Sequence, residues 1–172
     1  PPEHYVGAES VHAHRVQVAT EDHSWSAKNV DVAAKIAEVS AFDSWVGLQL
    51  ELCHHFAMRA KEARHFRPHG ALVHRDAANP RDTEHFPEVE WFVHVAYGTK
   101  GGRPRHVPLT TAAQRDLLER CCQVVTPGQF VGWAHLTAVR ARRRFYYILN
   151  KFGITKKQLG VQHWIDDLPF AS

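Results

Sequence analysis

Sulfur and long apolar runs are scarce in this chain. Its 172 residues include three Cys and one Met. The Cys are odd in number, and Cys121 and Cys122 are adjacent, so no disulfide framework is expected and a reducing cytoplasm is the better setting. No apolar stretch nears the roughly 18–20 residues that a membrane helix needs, which excludes an integral helical membrane protein. Internal repeats and low-complexity tracts are absent, which argues against solenoids and arrays. Pro1-Pro2-Glu3-His4 does not read as a signal peptide. Fourteen His invite a search for metal ligands, with His12-x-His14, His54-His55 and Cys121-Cys122 as the candidate pairs. None of these pairs has Cys-x-x-Cys or His-x-x-x-His spacing, and helical neighbours point about 100° apart. No metal site is expected. A large net charge is lacking too, because 21 Lys+Arg against 18 Asp+Glu leave only +3.

What is present is a globular composition, 44% apolar and 23% charged, with its charge unevenly spread. Residues 1–86 carry nine Lys/Arg against twelve Asp/Glu, and residues 87–172 carry twelve against six. Between Glu119 and Asp166 no acidic residue interrupts Arg120, Arg140, Arg142, Arg143, Arg144, Lys151, Lys156 and Lys157. A one-sided basic surface is the signature of a polyanion binder, although a lone Arg run also fits a solvated helix.

Residues 1–28 are weakly periodic and read as an arm or linker. Helical spacing begins with Val32, Ala33, Ile36, Ala37 and Val39 behind Asn29 or Asp31 as cap. Asp43 can cap a second helix that runs to about Phe56, followed by a turn or two of helix reaching His65 before Pro68 and Gly70. Residues 71–75 suit a short strand and 76–88 a loop. Trp91–Ala96 and Arg105–Leu109 read as strands around a Gly-rich turn. Thr111 and Gln114 fit a capping box whose helix buries Leu117, Leu118, Cys121, Val124 and Val125. A helix near 137–152 places Ala138, Ala141, Phe145, Ile148, Leu149 and Phe152 opposite Arg140, Arg143, Arg144, Tyr147 and Lys151. Thr155–Gln158 fits another capping box. The fold class that follows is α+β and mainly helical, with helices around a small antiparallel sheet or hairpin.

The most informative segment is Gly98-Thr99-Lys100-Gly101-Gly102-Arg103-Pro104-Arg105-His106-Val107-Pro108-Leu109. A glycine-rich turn can lie close to a phosphate backbone, and a Lys at its tip is a flexible donor. No Gly-Lys-Ser/Thr opens a helix, so it is not a Walker loop. The segment resembles the β-hairpin of tyrosine recombinases of the phage-integrase type, written Gly-x-Lys-Gly-x-x-Arg-x-Val-Pro-Leu. Leu48 through Ala63 resembles the first catalytic box of that family, a helix leading into Gly-Leu-Arg-x-x-Glu, with Ala57-Met58 where Gly-Leu is usual. Arg142–Tyr147 through Gly153–Val161 resembles the run before the second box in a proteobacterial prophage-integrase subgroup. The resemblance covers roughly residues 29–161, and implies a partial catalytic domain there and an atypical tail over 162–172.

In that family a Tyr attacks a DNA phosphate and forms a 3′-phosphotyrosyl intermediate without metal or cofactor. The resemblance makes Arg59 the first guanidinium that steadies the phosphorane, with Glu62 as its support. Lys100 becomes the general acid for the leaving 5′ oxygen. Arg103 and Arg105 would grip flanking phosphates, and Arg140, Arg142, Arg143, Arg144, Lys151, Lys156 and Lys157 would supply further backbone contacts. The implied partner is double-stranded DNA, with self-association or association with a full-length recombinase as a further expectation.

The second box is His-x-x-Arg followed by a nucleophilic Tyr. Here His163 has Asp166 three residues on, and no Tyr follows Tyr147. The expectation is therefore a chain that binds DNA and does not cleave it alone. The alternative is a non-catalytic remnant or regulator that occupies recombination sites.

Overall fold

Two aspartates set the first two helices. Asp31 accepts a hydrogen bond from the Ala34 N–H at 3.0 Å and opens α1, Val32–Phe42. Asp43 ends α1 by donating its N–H to Val39 O at 2.8 Å, and opens α2, Ser44–Phe56, by accepting from the Val46 N–H at 3.0 Å. The computed structural model describes residues 29–154. The expected arm at 1–28, the Thr155–Gln158 capping box, Lys156, Lys157, His163 and the 162–172 tail lie outside the described residues.

α2 is the central helix. Val46, Leu50, Leu52, Cys53 and Phe56 are all buried, on more than one face. It packs against α1, against α3 (Ala60–His65) and against α5 (Ala112–Val124). α6, Ala138–Lys151, adds Phe145, Ile148 and Leu149 to the same core. Each such side chain stabilises the fold by about 1.5–3 kcal/mol relative to exposure. The α1 stripe is narrower than its sequence pattern: Ile36 and Val39 are buried, whereas Ala33 and Ala37 are exposed.

Leu72–His74 (β1), Trp91–Val95 (β2) and Arg105–Pro108 (β3) form an antiparallel sheet in the order β1-β2-β3. Period-two alternation gives β2 two dry faces. Val93 and Val95 join the helical core, and Phe92 joins a second cluster with Ala78 and Val89. Pro108 pairs with Phe92 on an edge strand, where its missing N–H costs little.

That second cluster corrects the reading of residues 76–88 as a plain loop. The segment holds a 3-10 turn, Arg75–Ala77, and a short helix α4, Pro80–Thr83. Arg75 Nη1 donates to Pro87 O and Val89 O at 2.7 Å each and to Phe86 O at 3.3 Å. Asp82 accepts the His106 N–H of β3 at 2.8 Å. One arginine and one aspartate thus fasten the segment over the outer face of the sheet.

The capping box at α5 is present in both directions, Gln114 N–H to Thr111 Oγ1 at 3.1 Å and Thr111 N–H to Gln114 Oε1 at 3.1 Å. Val124 is a second correction, being 55% exposed while Val125 is buried. The helix stops at Val124 and the chain becomes extended at Val125, so the next residue faces the core instead.

Candidate functional site

The turn between α2 and α3 carries Arg59, and its shape departs from ordinary backbone. Ala57 is left-handed, at φ 49° and ψ 37°. A residue with a Cβ pays about 1–2 kcal/mol there, which is why glycine suits this position. Two contacts hold it. Arg105 Nη2 donates to Ala57 O at 2.8 Å, and Arg59 N–H donates to Glu62 Oε2 at 2.8 Å.

Glu62 is the hub. Its side chain is fully buried, and Oε2 also accepts from Arg105 Nη2 at 2.8 Å. Oε1 has no hydrogen bond and faces Arg59 Nη1 at 3.8 Å. A buried carboxylate needs such company, because an isolated one would cost several kcal/mol. Arg59 is thus held through its backbone and by charge, not by a closed side-chain fork, and its side chain stays 33% exposed.

The hairpin turn is fitted to this corner. At Gly98, φ +76°, a Cβ would stand 2.7 Å from Lys61 O, so the turn after β2 lies directly on the α3 backbone. Lys100 begins a 3-10 turn, Lys100–Gly102, in which Gly101 has φ 68°. Lys100 and Arg103 are exposed. Arg59, Glu62, Gly98 and Arg105 are therefore tied into one corner that also carries Lys100 at its tip. The contact of Arg105 with Glu62 spans 43 positions, and spacing alone did not reveal it.

The basic helix divides by partner. Arg144 Nε donates to Asp43 Oδ2 at 2.6 Å, and its guanidinium lies over Trp133 at 5.3 Å. Arg120 pairs with Glu51 and Asp116, and those hydrogen bonds raise its pKa above the usual arginine value. Both of these arginines join elements of the fold. Arg140, Arg142 and Arg143 are exposed and have no ion pair among the described residues. Arg142 lies 5.9 Å from the Tyr146 ring, and Lys151 lies 5.1 Å from the ring of Phe42.

One arginine escaped the sequence reading. Arg64 is buried, 5.2 Å from the Phe145 ring and 5.6 Å from the Tyr146 ring. Burial lowers its pKa, partly opposed by Tyr146, and no carboxylate pairs with it among the described residues. Its position five residues past Arg59 gave no signal beyond a basic helix.

His54-His55 and Cys121-Cys122 gain no third donor among the described residues, and His12-x-His14 lies outside them. The His54 and His55 rings lie 4.8 Å apart. Burial pushes the Cys121 thiol up to about 12, leaving it inert at neutral pH. No helix among the described residues is long and apolar enough to cross a membrane.

A family model described as Integrase matches residues 16–127. No curated protein and no solved structure matches the chain. The matched span includes Arg59, Glu62, Lys100, Arg103 and Arg105 and ends before α6. With that match over most of its length, and with the first-box turn and the hairpin joined at one corner, the chain belongs to the integrase family.

Proposed function

We propose that this is a DNA-binding, integrase-like protein that acts in DNA integration or site-specific recombination and does not cut DNA by itself. The observation that carries the reading is the buried Glu62 between Arg59 and Arg105, which holds the first-box turn against the hairpin of Lys100. A partly exposed guanidinium on a fixed turn and an exposed amine on a neighbouring turn suit a phosphodiester. The guanidinium would stabilise added negative charge, and the amine would protonate a leaving oxygen. Arg103, Arg140, Arg142 and Arg143 would hold flanking phosphates of double-stranded DNA, a contribution to affinity and not to sequence choice.

Tyr146 and Tyr147 lie on α6, and no later residue of the sequence is Tyr. A phosphotyrosyl step needs an aligned, activated hydroxyl. Residues 29–161 thus act as part of a catalytic domain in this proposal, in the cytoplasm, with a complete recombinase or a second copy as the natural partner. No metal or organic cofactor enters the proposed chemistry.

Two measurements test it. Fluorescence anisotropy with a duplex should give salt-dependent binding that weakens on Arg59→Ala and Lys100→Ala. Incubation with a nicked recombination substrate should leave no covalent protein–DNA adduct on a denaturing gel. Salt-independent binding would contradict the first half, and an adduct the second. A binder that merely occupies recombination sites is the second reading. The exposed arginines of α6, without an ion pair among the described residues, favour it, because they serve affinity without chemistry.

A further inference from the structure

We propose that Arg105 is a positioning residue, which sets the Lys100 hairpin against the Arg59 turn and does not bind phosphate. The proposal rests on the reading of that corner as the phosphate site. Arg105 was expected among the flanking phosphate contacts, as a basic residue of a basic hairpin. Its geometry points inward. Nη2 donates at 2.8 Å both to Ala57 O and to Glu62 Oε2. The first acceptor belongs to the left-handed residue that shapes the turn, and the second is the oxygen that also accepts the Arg59 N–H. One amino group of Arg105 therefore reaches both ends of the segment that presents Arg59.

The other end of the linkage is the hairpin. Arg105 opens β3, and Pro104 before it has a fixed φ that limits play between the tip and the strand. Across the hairpin, Gly98 of the turn sits on Lys61 O, so the turn and β3 both contact the segment that carries Arg59. Asp82 holds the next residue, His106, from the outer face at 2.8 Å. The residue after Arg105 is thus gripped from outside while the Arg105 side chain reaches inward. Arg103 differs, being exposed and having no ion pair among the described residues.

If Arg105 touched a phosphate, its neutralisation would remove about 0.9 from the slope of log K against log salt. A positioning role predicts another pattern. Arg105→Gln should leave the slope of duplex binding unchanged, whereas Arg103→Gln should lower it by about 0.9. Amide exchange at 57–59 and 98–102 should quicken by on the order of tenfold, while α6 keeps its protection. Adding Glu62→Gln to Arg105→Gln removes the orphaned buried charge and should restore slow exchange in both segments. A fall in slope of about 0.9 in Arg105→Gln would overturn the assignment, as would unchanged exchange in the two segments. If the chain binds no duplex at all, the DNA reading fails, and the exchange experiment still decides the role of Arg105. Should Arg105→Gln fail to fold, a folded double variant with slow exchange supports the assignment, and a double variant that also fails to fold contradicts it.

Discussion

The corner around Glu62 and the exposed face of α6 are both rich in arginine, yet they place that charge in opposite settings. At the corner a fully buried carboxylate holds Arg105 at 2.8 Å and the Arg59 backbone at 2.8 Å. On α6, Arg140, Arg142 and Arg143 stand in solvent without a carboxylate among the described residues. Paired and buried charge is costly to disturb, and exposed charge is nearly free to remove. Glu62 and Arg105 therefore belong to the architecture of the candidate site, and the helix arginines are available to a polyanion. Arg144 shows that one helix can hold both kinds, because it is spent on buried Asp43.

The contrast can be broken from either side. Glu62→Ala should have the largest effect, destabilising the fold by about 3–5 kcal/mol in urea denaturation, because it leaves the positive groups without their buried partner. A loss below about 1 kcal/mol would mean that the corner is as solvated as α6. Asp43→Ala should cost about 1–2 kcal/mol, mainly through the lost cap of α2, since Arg144 is partly exposed and can rehydrate. Ala57→Gly should act in the other direction. It relieves a left-handed φ of 49° and should stabilise by up to about 1 kcal/mol in the same measurement.

Acid should weaken the sheet more than α6. His94 and His106 are cross-strand partners whose rings stack at 4.7 Å, and His106 Nδ1 lies 3.3 Å from Asp82. Burial first, and His106 second, lower the pKa of His94 from 6.5. The folded state thus resists protonation at His94 while the unfolded chain accepts it. The stability that neutral His94 contributes is complete above 6.5 and is lost as pH falls through the lowered folded value. His54, lowered from 6.5 by burial and by His55, adds in the same direction. Melting temperature should fall between pH 7 and 5, roughly, and His94→Gln should flatten that profile. The smallest effect on stability should come from the triple change Arg140→Gln, Arg142→Gln and Arg143→Gln, within about 0.5 kcal/mol of the parent chain.

Local signals in the sequence carried much of this fold. Asp43 and the Thr111–Gln114 box are short-range devices, with both partners within three residues, and the helix ends followed from them. The strands and their turn were legible from β-branched residues and glycine. The segment over the outer face was not, because Arg75 holds it through backbone carbonyls, which leave no mark on side-chain periodicity. Val124 and Val125 differ only in which side of a helix end they fall, and composition is blind to that.

The candidate site was legible in part. Arg59, Glu62 and Lys100 stood out by resemblance, and Ala57 was already visible as a departure from glycine at a turn that proves left-handed. The direction in which a basic side chain points was hidden. Arg103 and Arg105 look alike in sequence, yet one is exposed and the other meets a carboxylate 43 positions away. Arg144 and Arg143 are neighbours with the same ambiguity, resolved only by Asp43 across the fold.

The central proposal is that the two regions divide the work, with paired charge at the corner positioning Arg59 and Lys100 and the exposed arginines of α6 adding contacts to the phosphate backbone. Its most direct test is the salt dependence of duplex binding by the chain and by its Arg140→Gln, Arg142→Gln, Arg143→Gln variant. The predicted result is a steep negative slope for the chain that becomes shallower by about 2–3 in the variant, with stability unchanged. An unchanged slope in a fully folded variant would contradict the account.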